Sequence, residues 1–170
     1  MADCIEAQIT ANIKAKLKTI TTANGYNYNV AAVEQQRKLL EVNNRWPFIL
    51  LLENESTKDE VDNMVIRTIE YPTWFFTAQD DRLRGDPSNA AADVDTEIAY
   101  KNRNAIADIT KALCSDDSEI YRDGNAELTE VVPGTHDYYE DDNLTLFGTW
   151  CMIVVTTRIN ARNPYELNQR

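Results

Sequence analysis

Apolar positions recur along this chain at two different periods, and the change of period divides it into elements. Ile5, Ile9, Ile13, Leu17 and Ile20 lie three or four apart. They predict an amphipathic helix of about four to five turns at 3.6 residues per turn. Asp3, with Glu6 three residues on, forms a capping-box pattern at its start. Lys14, Lys16 and Lys18 gather near its other end, where the helix dipole favours cations. Asn24-Gly25 predicts the close of the helix.

The period then shortens to two. Tyr26 to Val33 alternates weakly and predicts a short strand, with the polar run Glu34 to Lys38 at the surface. Pro47 to Glu53 is a compact apolar run led by proline, which suits the first position of a strand. Asn54 to Asp62 reads as a polar turn. Met64 to Phe76 alternates again, and Pro72 inside it predicts an edge or a bulge. Ile49–Leu52 and Ile66–Phe76 are expected to be antiparallel neighbours.

Ala78 to Asp95 is a polar connection, longer than structureless loops usually are in a compact domain. A second helix follows, with Asp93 or Asp95 as cap and Ile98, Ala105, Ile106, Ile109, Ala112 and Leu113 as its buried face. From Asp116 to Asp142 the chain is acidic and turn-rich, and Leu128–Val132 is the one strand expected there. Leu144 to Arg158 is the longest β-type stretch. Leu144, Leu146, Trp150, Met152 and Val154 share one face, and Phe147, Cys151, Ile153, Val155 and Ile159 share the other. Both faces are largely apolar over Trp150–Val155, which predicts a strand buried on both sides in mid-sheet. Asn160 to Arg170 reads as a polar extended tail.

This order predicts one α+β domain over residues 1–170, with a mainly antiparallel sheet of about four to five strands and two helices packed on it. Two helices cover only one sheet face well. The other apolar face of the Trp150–Val155 strand then needs a neighbouring subunit, or loops folding back, to cover it.

Charge narrows the partners. With 28 acidic and 17 basic residues the net charge is −11, which argues against a grip on nucleic acid or an anionic membrane. It does not argue against a protein that lets DNA pass without holding it, and plain solubility is the simpler reading. Cys4, Cys114 and Cys151 are scattered and form no disulfide or Cys-x-x-Cys framework. The first residues lack a signal-peptide pattern, and no apolar run approaches the ~20 residues of a membrane span. The expectation is a reducing cytoplasm, or a particle assembled there.

Catalytic signals are thin. His136 is the lone histidine and stands in the turn-like Pro-Gly-Thr-His-Asp-Tyr-Tyr, where a surface role outweighs that of a general base. Asp116, Asp117, Glu119, Asp123 and Glu127 lack the spacing of an EF-hand loop and read as a solvated acidic face. The five glycines form no phosphate-cradling loop, and His and Cys show no metal spacing. No enzyme, cofactor or metal site is expected.

Four pieces of the chain resemble the tail terminator and tail completion proteins of long-tailed bacteriophages. They are the opening helix running into Leu17–Tyr26, the proline-led strand Pro47–Glu53, the second helix after a long loop, and the closing stretch Met152–Tyr165. In that family the last strand commonly ends in a basic residue followed by a Pro-Tyr-like pair, matched here by Arg158, Pro164 and Tyr165. The acidic Asp116–Asn143 region and the Ala78–Asp95 loop depart from the pattern. The resemblance implies a non-enzymatic virion protein that forms a homo-oligomeric ring, usually a hexamer, at the head-proximal end of the tail tube. Such a ring ends tube growth and joins tail to neck, touching tail-tube and head-completion proteins while DNA passes through its lumen. Contact elements are then expected in the loop, at Asp80, Asp81, Arg82 and Arg84, and in the tail, at Arg158, Arg162, Pro164 and Tyr165. Alternatives are a head-completion or neck connector ring, a small hydrolase using His136, and a monomeric binding module.

Overall fold

The computed structural model describes residues 4–35, 47–53, 57–61, 64–78, 94–114, 128–141, 144–160 and 163–167. Their elements run α1 (Ile5–Leu17), a 3-10 turn (Thr22–Asn24), β1 (Ala32–Gln35), β2 (Phe48–Leu51), β3 (Thr57–Val61), β4 (Met64–Ala78), α2 (Val94–Cys114), β5 (Leu128–Asp141), β6 (Leu144–Asn160) and β7 (Asn163–Leu167). The class is α+β, with two helices on a mainly antiparallel sheet. Among the described residues the strands number seven rather than four or five.

Across the sheet the order is β1-β2-β4-β6-β5. β1 and β2 are parallel, and every other pairing is antiparallel. β4 pairs with β6 over its whole length, Met64 against Asn160 and Ala78 against Leu146. Its other edge is shared, β3 lying along Met64–Thr68 and β2 along Thr73–Phe76. β6 is likewise flanked on both edges, by β4 and by β5 with β7 beyond it. The long stretch near the carboxyl end is therefore an interior strand.

Both helices lie on one face of this sheet. Ile5, Ile9, Ile13 and Leu17 of α1, with Ala105, Ile109, Ala112 and Leu113 of α2, form one buried cluster with Val33, Ile49, Leu51, Ile69, Tyr71, Cys151, Ile153 and Val155. Burying side chains of this size stabilises by about 1.5–3 kcal/mol each, before entropy is counted. Two polar contacts set the register of α1. Glu6 forms an ion pair with Arg67 of β4, and the Thr10 and Tyr71 hydroxyls hydrogen-bond at 3.0 Å inside the core. Glu6 therefore closes no capping box: Cys4 holds the N-cap position without a side-chain bond, and Asp3 lies outside the described residues. The α-helix also ends earlier than its apolar spacing implies. Lys18 is its C-cap, and Ile20 is buried from the turn that follows. Asn24-Gly25 closes the 3-10 turn instead, with Gly25 in the left-handed region at φ 77°.

Several strand assignments differ from the sequence expectation, beginning with β1, which runs over Ala32–Gln35 and not from Tyr26. Thr57–Val61, read as a turn, is an edge strand hairpinned to β4, and solvent exposure of Thr57, Lys58 and Asp59 explains its lack of apolar signal. Pro72 neither ends nor bulges β4. It stands where β3 has stopped pairing and β2 is ending, so its missing N–H costs no ladder bond within either strand. Its carbonyl still accepts the Leu52 N–H at 2.9 Å. The polar end of the chain is not an extended tail, since Asn163–Leu167 adds β7 to β6.

β5 also runs well past Val132. It reaches Asp141, and one extra residue is taken up between Pro133 and His136, where Pro133 opposes Cys151 and His136 opposes Thr149. This is a β-bulge, and because alternation has period two it exchanges the faces of the residues that follow. His136 consequently lies in a strand, not in a turn.

Candidate functional site

The register places Trp74, Met152, Val154 and their row-mates on the sheet face opposite the helices, and no described helix lies there. Reading across β4, β6 and β5, one row is Phe76–Gly148, and the next is Trp74–Trp150 with Gly134 at the bulge. Pro72–Met152–Val132 follows, then Glu70–Val154–Glu130, then Thr68–Thr156. Phe48 and Leu50 extend the first two rows onto β2.

Burial falls off across this face. Phe48, Leu50 and Phe76 are buried together. Pro72, Trp74, Trp150, Met152 and Val154 are only half-buried, and Val132 is 39% exposed. The two-sided burial expected of Trp150–Val155 thus holds on the helix side alone. Cys151, Ile153 and Val155 are fully buried there, whereas the alternate side chains reach solvent.

The aromatic rings form a flat layer because glycines lie beneath them. A Cβ at Gly134 would fall within the Trp150 indole, 2.8 Å from Cδ2 and nearer still to Cε3 and Cζ3. A Cβ at Gly148 would sit 3.0 Å from Phe76 Cε1 and 3.2 Å from Trp74 Cε3. Phe48 stacks on Phe76 with centroids 4.8 Å apart, and Trp74 on Phe76 at 5.8 Å. Covering a strand glycine with a neighbouring ring recovers packing that its missing side chain forfeits. The outcome is an aromatic floor grading into an apolar strip, then into the carboxylates of Glu70 and Glu130.

On the helix side, polar groups serve packing. Asp108 of α2, 2% exposed, accepts hydrogen bonds from the backbone N–H of Asn27 at 2.9 and 3.1 Å, from that of Tyr28 at 3.0 Å and from Asn27 Nδ2 at 2.8 Å. Lys111 donates to the Gly25 carbonyl at 2.7 Å and lies 4.6 Å from the centre of the Tyr26 ring. The Tyr28 hydroxyl donates to the Lys101 carbonyl at 3.0 Å. Together these fasten the turn after α1 onto α2. Nearer the bulge, the buried Thr149 hydroxyl donates to Asn102 Oδ1, while Asn102 Nδ2 is buried with no hydrogen-bond partner among the described residues. Burial pushes the Cys151 thiol up to about 12. It also raises Cys114, with a smaller contribution from the Glu130 carboxylate.

Of the contact residues singled out from the sequence, three lie in described strands. Arg158 lies on β6, half-buried, opposite Ile66, and Pro164 and Tyr165 are in β7. Asp80, Asp81, Arg82, Arg84 and Arg162 are outside the described residues, as is the acidic run Asp116, Asp117, Glu119, Asp123 and Glu127. His136 is the cross-strand partner of Thr149, whose hydroxyl is already engaged by Asn102. Among the described residues no group of three or more His, Cys, Asp or Glu is placed to hold a metal, and no helix is long and apolar enough to cross a membrane. The aromatic floor was missed from sequence: Gly148 stands inside the long β-type stretch, where a ring can lie on the backbone, but Gly134 fell in a stretch read as a turn. No protein-family model matches the chain, and comparison with characterised proteins returns no match.

Proposed function

We propose that this protein is a non-enzymatic virion component that assembles as a ring at the head-proximal end of a phage tail tube, ending tube growth and joining tail to neck. The observation that carries the reading is the aromatic and apolar sheet face at Trp74, Trp150, Met152, Val154 and Val132, on the side away from both helices. Contiguous apolar surface of this kind marks protein contact rather than chemistry. Element order supports the family resemblance: a helix, strands, a second helix entered after a long connection, then a closing pair of long strands. A net charge of −11 suits a lumen through which DNA slides, because like charge keeps it from sticking.

The test is the mass of the purified protein, alone and with its cognate tail-tube protein, by light scattering and negative-stain imaging. Rings, or closed oligomers capping tube ends, are the expected result. A mass that stays at 19.4 kDa under both conditions overturns the proposal.

A further inference from the structure

The two faces of the subunit carry opposite charge. The outer surface of the helix layer is basic. Lys16 and Lys18 are exposed and Lys14 half-buried around the end of α1, and α2 adds the exposed Arg103 and Lys111. Two acids of that layer are engaged inward, Glu6 by Arg67 and Asp108 by the turn at Asn27 and Tyr28, while Asp95 and Glu97 stand at the end of α2 opposite from Lys111. Between its lysines and its amino end, α1 presents the exposed Ala7, Ala11 and Ala15, one turn apart, a low surface over which a flat partner can lie. The opposite sheet face has the reverse character. Glu70 and Glu130 flank Val154 in a single row, and Asp59 and Glu34 lie further out on the same side by register, where Arg158 shares the row of Asp59 two rows away from Glu70. Among the described residues, Glu70, Glu130, Lys16 and Lys18 form no ion pair within the subunit.

We infer that the sheet face of one copy receives the α1 side of the next, with Trp74, Trp150 and Met152 against the alanine surface and Glu70 and Glu130 facing Lys16 and Lys18. This deepens the ring reading and rests on it. The contact joins two different patches, so it is heterologous and repeats around a closed ring, whereas sheet against sheet would stop at a pair. It also explains how subunits of net charge −11 associate: the acidic surplus is met locally by the basic helix layer of the neighbour. Strand addition along β5 is disfavoured, because Pro133 and the bulge interrupt that edge.

Two charge reversals test the assignment. Glu70→Lys with Glu130→Lys makes the sheet face basic, and Lys16→Glu with Lys18→Glu makes the helix face acidic. Each pair alone is expected to weaken assembly roughly tenfold or more, and mixing the two variant proteins is expected to restore it, since each then offers the other a complementary face. Recovery in the mixture cannot come from a folding defect. Unchanged assembly in both variants, or loss without recovery on mixing, overturns the patch assignment while wild-type rings keep the ring reading intact. Loss in the Glu70/Glu130 variant alone also overturns it, in favour of sheet-to-sheet pairing. Should a variant fail to fold, wild-type assembly is followed from about 0.05 to about 0.5 M salt, where screening is expected to weaken it. Assembly that strengthens throughout that range excludes the ionic contact. A wild type that remains monomeric even with tube protein fails the ring reading itself.

Discussion

Replacing Gly134 with alanine adds one methyl group where the Trp150 indole already lies. The new Cβ would be 2.8 Å from Trp150 Cδ2 and closer to two further ring atoms, whereas real Cβ contacts essentially never fall under 3.0 Å. One side must give way: Gly134 is in the bulge of a paired strand, so the half-buried indole, opposite Trp74 in its row, is the part that moves. Overpacking of this kind costs about 1–3 kcal/mol. For a domain of 170 residues each kcal/mol lowers Tm by about 2–4 °C, so a cost near 2 kcal/mol predicts a fall of about 4–8 °C. Urea unfolding should show a lower midpoint at unchanged slope, and near-UV circular dichroism should lose tryptophan intensity as the ring swings away. Trp150→Ala supplies the control. With the ring gone the added methyl fits, so Gly134→Ala should cost less than about 0.5 kcal/mol in that background, a coupling of 1 kcal/mol or more. Equal costs in the two backgrounds would show that the ring does not rest on Gly134, and the aromatic floor would fall with it.

Asp108→Ala removes the acceptor for the Asn27 and Tyr28 donors and should destabilise by about 3 kcal/mol in thermal melts, and an unchanged Tm refutes the clamp. Tyr71→Phe deletes the hydroxyl that meets Thr10 in the core and should cost about 1 kcal/mol by urea titration, with the fold retained. Cys151, pushed up to about 12 by burial against a usual thiol value of 9.0, should resist alkylation at neutral pH until the chain unfolds. Its folded form keeps the proton longer than the unfolded form, so its contribution is complete below pH 9 and is lost as pH rises towards 12. Stability should fall by up to about 1.4 kcal/mol per pH unit in that window, and Cys151→Val should flatten the decline.

Periodicity alone was enough for the two helices, for Phe48–Leu51 and its antiparallel partner, and for the long interior strand, because each buries a continuous apolar stripe that evenly spaced side chains announce. It also anticipated that two helices would leave one sheet face to something else. β3 and β7 escaped because edge strands bury little, and their hydrogen bonds depend on a partner rather than on their own composition. Pro72 was read as an edge or a bulge and Pro133-Gly134 as a turn, since local propensity carries no knowledge of which edge of a strand is in use or where a bulge can absorb a residue. The aromatic floor is the clearest case. Trp74, Trp150, Gly134 and Gly148 are scattered along the chain, and only strand register and a bulge bring ring onto glycine. Spacing along one strand sets which side a residue takes, but what it meets there is set by pairing between strands, a long-range property that no local pattern encodes.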